Sequence, residues 1–199
     1  MRFSVGSSLL AASFAIGVSS VAQAQTLRPS TTGLSVAVTA TSARATSETD
    51  GDESSSNGFI PRLDISYGAT PRFSLVAAIG RSAPVLDGAD YSVRNVDMGM
   101  RYLGYAGRVV RPFVEGGLSV RKFSLDNTFG DITSQDVGPW FAAGGMWFPG
   151  SRVALEGALT YSSVQFESWR VPAGSPNLLP VTLRELGVRA GLRLFQRAR

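Results

Sequence analysis

From Gly33 onward the chain alternates between apolar and polar residues in segments about ten residues long, with almost nothing repeating at helical spacing. Eight such segments can be read: GLSVAVTAT (33 to 41), FIPRLDISYG (59 to 68), RFSLVAAIGRS (72 to 82), YSVRNVDMGMRYL (91 to 103), PFVEGGLSVRKFSL (112 to 125), GPWFAAGGMWF (138 to 148), RVALEGALTYSSVQFE (152 to 167) and TLRELGVRAGLRLF (182 to 195). Their β-branched and aromatic residues suit strands better than helices. The connections alternate in length. Gly68 to Pro71, Gly104 to Arg111 and Pro149 to Ser151 are short, whereas Ser42 to Asn57, Ala83 to Asp90, Asp126 to Val137 and Ser168 to Val181 are longer and more polar. Short turns at one end and long loops at the other predict an all-β, eight-stranded antiparallel up-and-down transmembrane barrel, with both termini on the side of the short turns.

Side chains two apart share a face of a strand. In the seventh segment Val153, Leu155, Gly157, Leu159 and Tyr161 stand against Ala154, Glu156, Ala158, Thr160 and Ser162. In the eighth, Leu186, Val188, Ala190, Leu192 and Leu194 oppose Glu185, Gly187, Arg189, Gly191 and Arg193. The second, fourth and fifth segments likewise separate Arg62 and Asp64, Asp97 and Arg101, and Glu115 and Arg121 from an oily face. In the fifth the phase slips at Lys122-Phe123, as a bulge would cause. The third and sixth segments alternate poorly, and their faces stay unassigned.

A soluble lipocalin-like barrel has the same period with its oily face inward. The polar face here mixes Gly, Ala and Ser with single Arg and Glu residues, which suits the inside of a narrow barrel rather than a solvated surface. Aromatic residues gather at segment ends. Tyr67, Phe73, Tyr102, Tyr105, Phe113, Trp147 and Phe148 lie toward the short turns, and Phe59, Tyr91, Phe123, Trp140, Phe141, Phe166 and Trp169 toward the loops, as two interfacial girdles would require.

The first residues change the cellular picture. Arg2, the apolar run from Leu9 to Val18 and the small Ala22-Gln23-Ala24 site have the layout of a signal peptide cleaved after Ala24, which leaves residues 25 to 199 as the barrel domain. No other segment holds the ~18 uninterrupted apolar residues of a helical span. Cysteine and histidine are both absent, so an exported chain has no disulfide staple. The net charge of +4 comes from scattered arginines and one lysine, Lys122, and suggests no nucleic-acid partner.

With its signal peptide, its alternating segments and the final strand LRELGVRAGLRLF, the chain resembles the small eight-stranded outer-membrane β-barrels of the OmpA/OmpX type over about residues 31 to 195. The resemblance implies a monomer in the outer membrane of a Gram-negative-type envelope, in contact with outer-membrane lipid and lipopolysaccharide. It also implies assembly by the barrel-assembly machinery, which in this family reads a terminal aromatic. Here Phe195 is followed by Gln196-Arg197-Ala198-Arg199 and falls out of phase with Leu192 and Leu194. Unlike full OmpA, the chain is expected to carry no peptidoglycan-binding domain after the barrel.

The enzymes built on such barrels, including lipid A deacylases, palmitoyltransferases, phospholipases and omptin proteases, use a histidine as base or proton carrier, which this chain lacks. Asp87 with Asp90, and Asp50 with Asp52 and Glu53, read as solvated loop charges rather than a glycosidase pair or a calcium loop. The expectation is therefore no enzyme and no cofactor or metal. Arg62, Asp64, Asp97, Arg101, Glu115, Arg121, Glu156, Glu185, Arg189 and Arg193 are expected to meet across the lumen as a structural charge network, with Glu156 pairing to Arg189 or Arg193, because charges removed from water must pair. A narrow channel or transporter for small or apolar solutes is the alternative, with the soluble binder behind it.

Overall fold

The structure is a computed structural model that describes residues 31–49, 52–82, 85–86, 89–105, 108–125, 131–171 and 179–196. The segment read as a signal peptide, Asp50, Asp87 and the side chains of Asp52, Asp90 and Tyr91 lie outside the described residues. Eight long strands follow in order: β1 (Gly33–Thr49), β2 (Asp52–Gly68), β3 (Phe73–Ser82), β4 (Ala89–Leu103), β5 (Val110–Leu125), β6 (Ile132–Trp147), β7 (Val153–Phe166) and β8 (Val181–Phe195). Two short strands, Val85–Leu86 and Trp169–Arg170, decorate β4 and β6. Each long strand pairs antiparallel with the next, and β1 pairs with β8 from Ser35↔Phe195 to Glu48↔Thr182, which closes the barrel.

The period of two turns one residue set of each strand inward. Outside stand Val38, Leu63, Ile79, Met98, Leu118, Leu159 and Leu186, all exposed, while Asp64, Ser119, Ala154 and Arg193 inside are buried to the last per cent. A lipocalin-like barrel would reverse this arrangement, so the soluble alternative is excluded by the direction of the faces.

Four expectations are corrected. The stretch from Ser42 to Asn57 is not a loop. The β1–β2 ladder runs through it without interruption to Thr49↔Asp52. Above the barrel rim both faces of a strand are wet, so no apolar alternation is needed to mark it. The loops expected from Ala83, Asp126 and Ser168 are likewise trimmed: β4 begins at Ala89 and β6 at Ile132, and the two short strands lie within the first and the last.

There is also no bulge at Lys122-Phe123. Asn95↔Arg121, Arg94↔Lys122 and Val93↔Phe123 continue one register, as do Arg121↔Asp136, Lys122↔Gln135 and Phe123↔Ser134. Phe123 faces inward because the lumen itself turns apolar there, packing on Phe166 and Trp169 at 6.3 and 5.5 Å between ring centroids.

The girdles are thinner than the aromatic count suggests. Tyr67, Phe73, Tyr102, Tyr105 and Trp147 face outward at the turn end, and Phe59 and Phe141 at the loop end. Phe113, Phe148, Trp140 and Phe166 are instead buried inside the barrel.

β3 and β6 can now be oriented. Ser74, Val76 and Ala78 point in and Leu75 and Ile79 out; Trp140, Ala142 and Met146 point in and Phe141 and Trp147 out. Their alternation is weak because many of their own inward positions, such as Val76, Ala78, Trp140, Ala142 and Met146, are apolar, leaving little contrast between the faces.

Candidate functional site

Inside the barrel, five arginines and five carboxylates from β2, β4, β5, β7 and β8 form three connected groups. The group nearest the short turns is centred on two glutamates. Glu156 accepts from Arg193 Nε at 2.9 Å and has Arg101 Nη2 at 3.5 Å and Arg189 Nε at 3.8 Å. Glu115 pairs with Arg101 and accepts from Arg189 Nη2 at 2.7 Å. Arg193 Nη1 also donates to Ser66 Oγ at 3.0 Å and Ser35 Oγ at 3.3 Å. Each arginine therefore touches strands that are not its sequence neighbours, which ties opposite walls together.

Nearer the loops, Arg62 donates through Nε to Asp64 Oδ1 at 3.0 Å and pairs with Asp97 through Nη1. Asp64 takes a second bond from Thr39 Oγ1 at 2.9 Å, and Asp97 one from Asn95 Nδ2 at 3.1 Å. A third group joins Arg121 Nη1 to Glu185 Oε2 at 2.7 Å, with Arg121 Nη2 donating to Ser162 Oγ at 2.7 Å. The three groups hold three, one and one arginines against two, two and one carboxylates, so these ten charges cancel, the extra arginine of the first group being offset by the extra carboxylate of the second. Desolvated ions demand this matching.

Sequence reasoning missed the aromatic part. The Trp140 indole N–H reaches the Leu118 carbonyl at 3.1 Å, and the guanidinium of Arg62 lies 5.3 Å above its ring. Its bed is the cross-strand pair Gly99↔Gly117, where a Cβ on Gly117 would sit 2.0 Å from the Met98 carbonyl oxygen. At the turn end, Phe113 lies under Arg101 at 4.8 Å, and Phe148 packs on Phe195 at 5.6 Å. Arg111, buried over the Phe148 ring at 4.9 Å, donates to Thr31 Oγ1 at 3.1 Å. It shares parity with Glu115, a signal available once β5 is seen to start at Val110 rather than Pro112.

Free space inside is small. About 40 Å³ remains between Arg62, Asp97, Arg121, Trp140 and Glu185, room for a few waters. At the loop end a cup of about 230 Å³ opens between Ser47 and Ser54 of the β1–β2 hairpin and Phe123, Phe166, Trp169 and Leu183. Among the described residues no group of three or more carboxylates could hold a metal ion.

This geometry defines a class: a closed eight-stranded barrel with an oily outside and an ion-paired inside. Its fold is that of the small outer-membrane β-barrels. The chain is similar to Neisserial surface protein A (19% identity, TM-score 0.63, covering 82% of this chain and 99% of that one). It is also similar to the outer membrane protein OprG of Pseudomonas aeruginosa (13%, 0.56, 86% and 99%). A third likeness is to Ail, the attachment invasion locus protein of Yersinia pestis, in complex with a heparin analogue (14%, 0.50, 81% and 99%). No protein-family model matches the chain, and no curated protein matches it.

Proposed function

We propose that this protein is an integral outer-membrane barrel with a structural or surface-contact role, a closed interior and no enzymatic activity. One observation carries the reading: the lumen charges are spent on one another. Every one of the five arginines pairs with a carboxylate across a space that keeps only about 40 Å³ between its loop-side groups. An ion passing through would have to part buried pairs, each several kcal/mol to break. The outward face supports membrane residence, since water does not favour so continuous an apolar band.

Two measurements test this. The refolded chain should migrate faster unheated than boiled on a gel and partition with detergent. In planar bilayers it should give no large, steady conductance. Recovery in the aqueous phase would overturn the membrane reading, and stable channels would overturn the closed interior.

The loop-end cup favours a second, narrower reading of the channel alternative, in which a small apolar solute is held at the mouth without passage. Its volume exceeds the ~150 Å³ of an apolar cavity known to hold one benzene ring. Quenching of tryptophan fluorescence by a single-ring aromatic, abolished in Phe166→Ala, would support it; no quenching would remove it.

A further inference from the structure

The outward face carries a row of charge that the lumen network does not use. Arg81 of β3 lies directly opposite Arg94 of β4, and Arg94 directly opposite Lys122 of β5. All three are exposed on the face that also carries Ile79, Val96 and Leu118. Cross-strand neighbours stand ~5 Å apart, and like charges placed so repel. No carboxylate among the described residues pairs with any of the three. Elsewhere on the rim the chain supplies its own partners: Arg184 faces Glu48 at 3.5 Å, and Arg44 donates to Ser55 Oγ at 3.1 Å.

A recess lies beside and beneath this row. The β2–β3 ladder ends at Arg62↔Gly80, after which β2 continues with β1 alone. Past this point Pro61 offers no N–H to carry the ladder on. The result is a groove of about 560 Å³ in the outer wall, with Val38, Leu63, Ile79 and Val96 along it and Arg81 and Arg94 at its rim.

We propose that Arg81, Arg94 and Lys122 bind the phosphate-bearing headgroup of an anionic lipid in the outer leaflet, with an acyl chain in the groove below. This rests on the membrane reading above. Guanidinium groups match phosphate oxygens bidentately, and an anion between the cations turns their repulsion into attraction. The apolar groove selects a lipid over a soluble polyanion, because a headgroup without chains would leave it empty.

The test is native mass spectrometry of the full chain, refolded in neutral detergent and titrated with bisphosphorylated lipid A, dephosphorylated lipid A or inositol hexakisphosphate. The folded barrel should retain the phosphorylated lipid and not the dephosphorylated one. R81Q, R94Q and K122Q should each weaken retention about fivefold, and the triple variant on the order of a hundredfold. Ile79→Asn should weaken it while leaving the three cations in place, and Arg44→Gln should leave it unchanged. Undiminished retention by the triple variant overturns the proposal. So does inositol hexakisphosphate bound as tightly as the lipid, or an equal loss in Arg44→Gln. Faster migration of each unheated variant verifies that it folds. A wild-type chain that neither migrates so nor enters vesicles overturns the membrane reading and this proposal together. One that enters vesicles but ignores the phosphate overturns this proposal alone.

Discussion

Arginine occupies two opposite settings in this barrel. Inside, Arg101, Arg189 and Arg193 are interleaved with Glu115 and Glu156, and each of these three guanidiniums has a carboxylate beside it. Outside, Arg81, Arg94 and Lys122 follow one another across three strands with no acid among them. The difference teaches where the compensating charge has to come from. A buried ion must find its partner within the chain, because nothing else is near. A cation at a membrane surface can leave that partner to the lipid.

The contrast is broken most severely from inside. Glu156→Leu removes the carboxylate that Arg193, Arg101 and Arg189 share. It should cost about 3–5 kcal/mol, read as a lower urea midpoint in lipid vesicles. Removing the Arg121–Glu185 pair together, as Arg121→Met with Glu185→Leu, should cost far less than either single change, because no charge is left stranded.

Next in size is a charge moved to the wrong side. Met98, 64% exposed on the outer face, replaced by Arg should lose about 2–4 kcal/mol if it lies at mid-bilayer. A neutral outcome there would place the apolar band at another height. Gly117→Ala tests the bed of Trp140. The added methyl meets the Met98 carbonyl, and a loss of about 1–3 kcal/mol should accompany a shift in tryptophan emission. The smallest effect is the most diagnostic. In neutral detergent Arg94→Gln should raise stability by about 0.2–1 kcal/mol, since it relieves repulsion on both sides. The same change should reverse sign when phosphorylated lipid is present.

The eight-stranded barrel was legible because its walls separate oil from polarity residue by residue, most clearly in β7 and β8. Glu156 is an example: a carboxylate amid Ala154, Ala158 and Thr160 marks the inward face before any coordinate is known. Legibility failed where the two sides of a strand resemble each other. In β3 and β6 much of the inward face is small or apolar, as the outward face is, and in the Ser-rich end of the β1–β2 hairpin both faces are polar. Apart from Glu156, whose arginines Arg189 and Arg193 stand on the next strand of its own hairpin, which acid meets which arginine was beyond the pattern, because it depends on register between strands distant in sequence, such as those of Glu115 and Arg189. The cationic row escaped notice for the same reason. Arg81, Arg94 and Lys122 look scattered along the chain and become neighbours only once the register is set.

The uninterrupted β1–β2 ladder has one more consequence. Beyond Pro61, β2 has β1 on one side and, among the described residues, no hydrogen-bonded strand on the other. Among the described residues its backbone there has no ladder partner on that side, although the short Val85–Leu86 strand lies against β2, and an unpaired edge is the kind of template that invites a second chain to add a strand. The residues there are Glu53-Ser54-Ser55-Ser56-Asn57, charged at the tip and otherwise small and polar. Such a sequence has little β-propensity and no apolar face to reward pairing. The composition that hides this strand from a hydrophobic pattern thus also gives a second chain little to gain by adding a strand there.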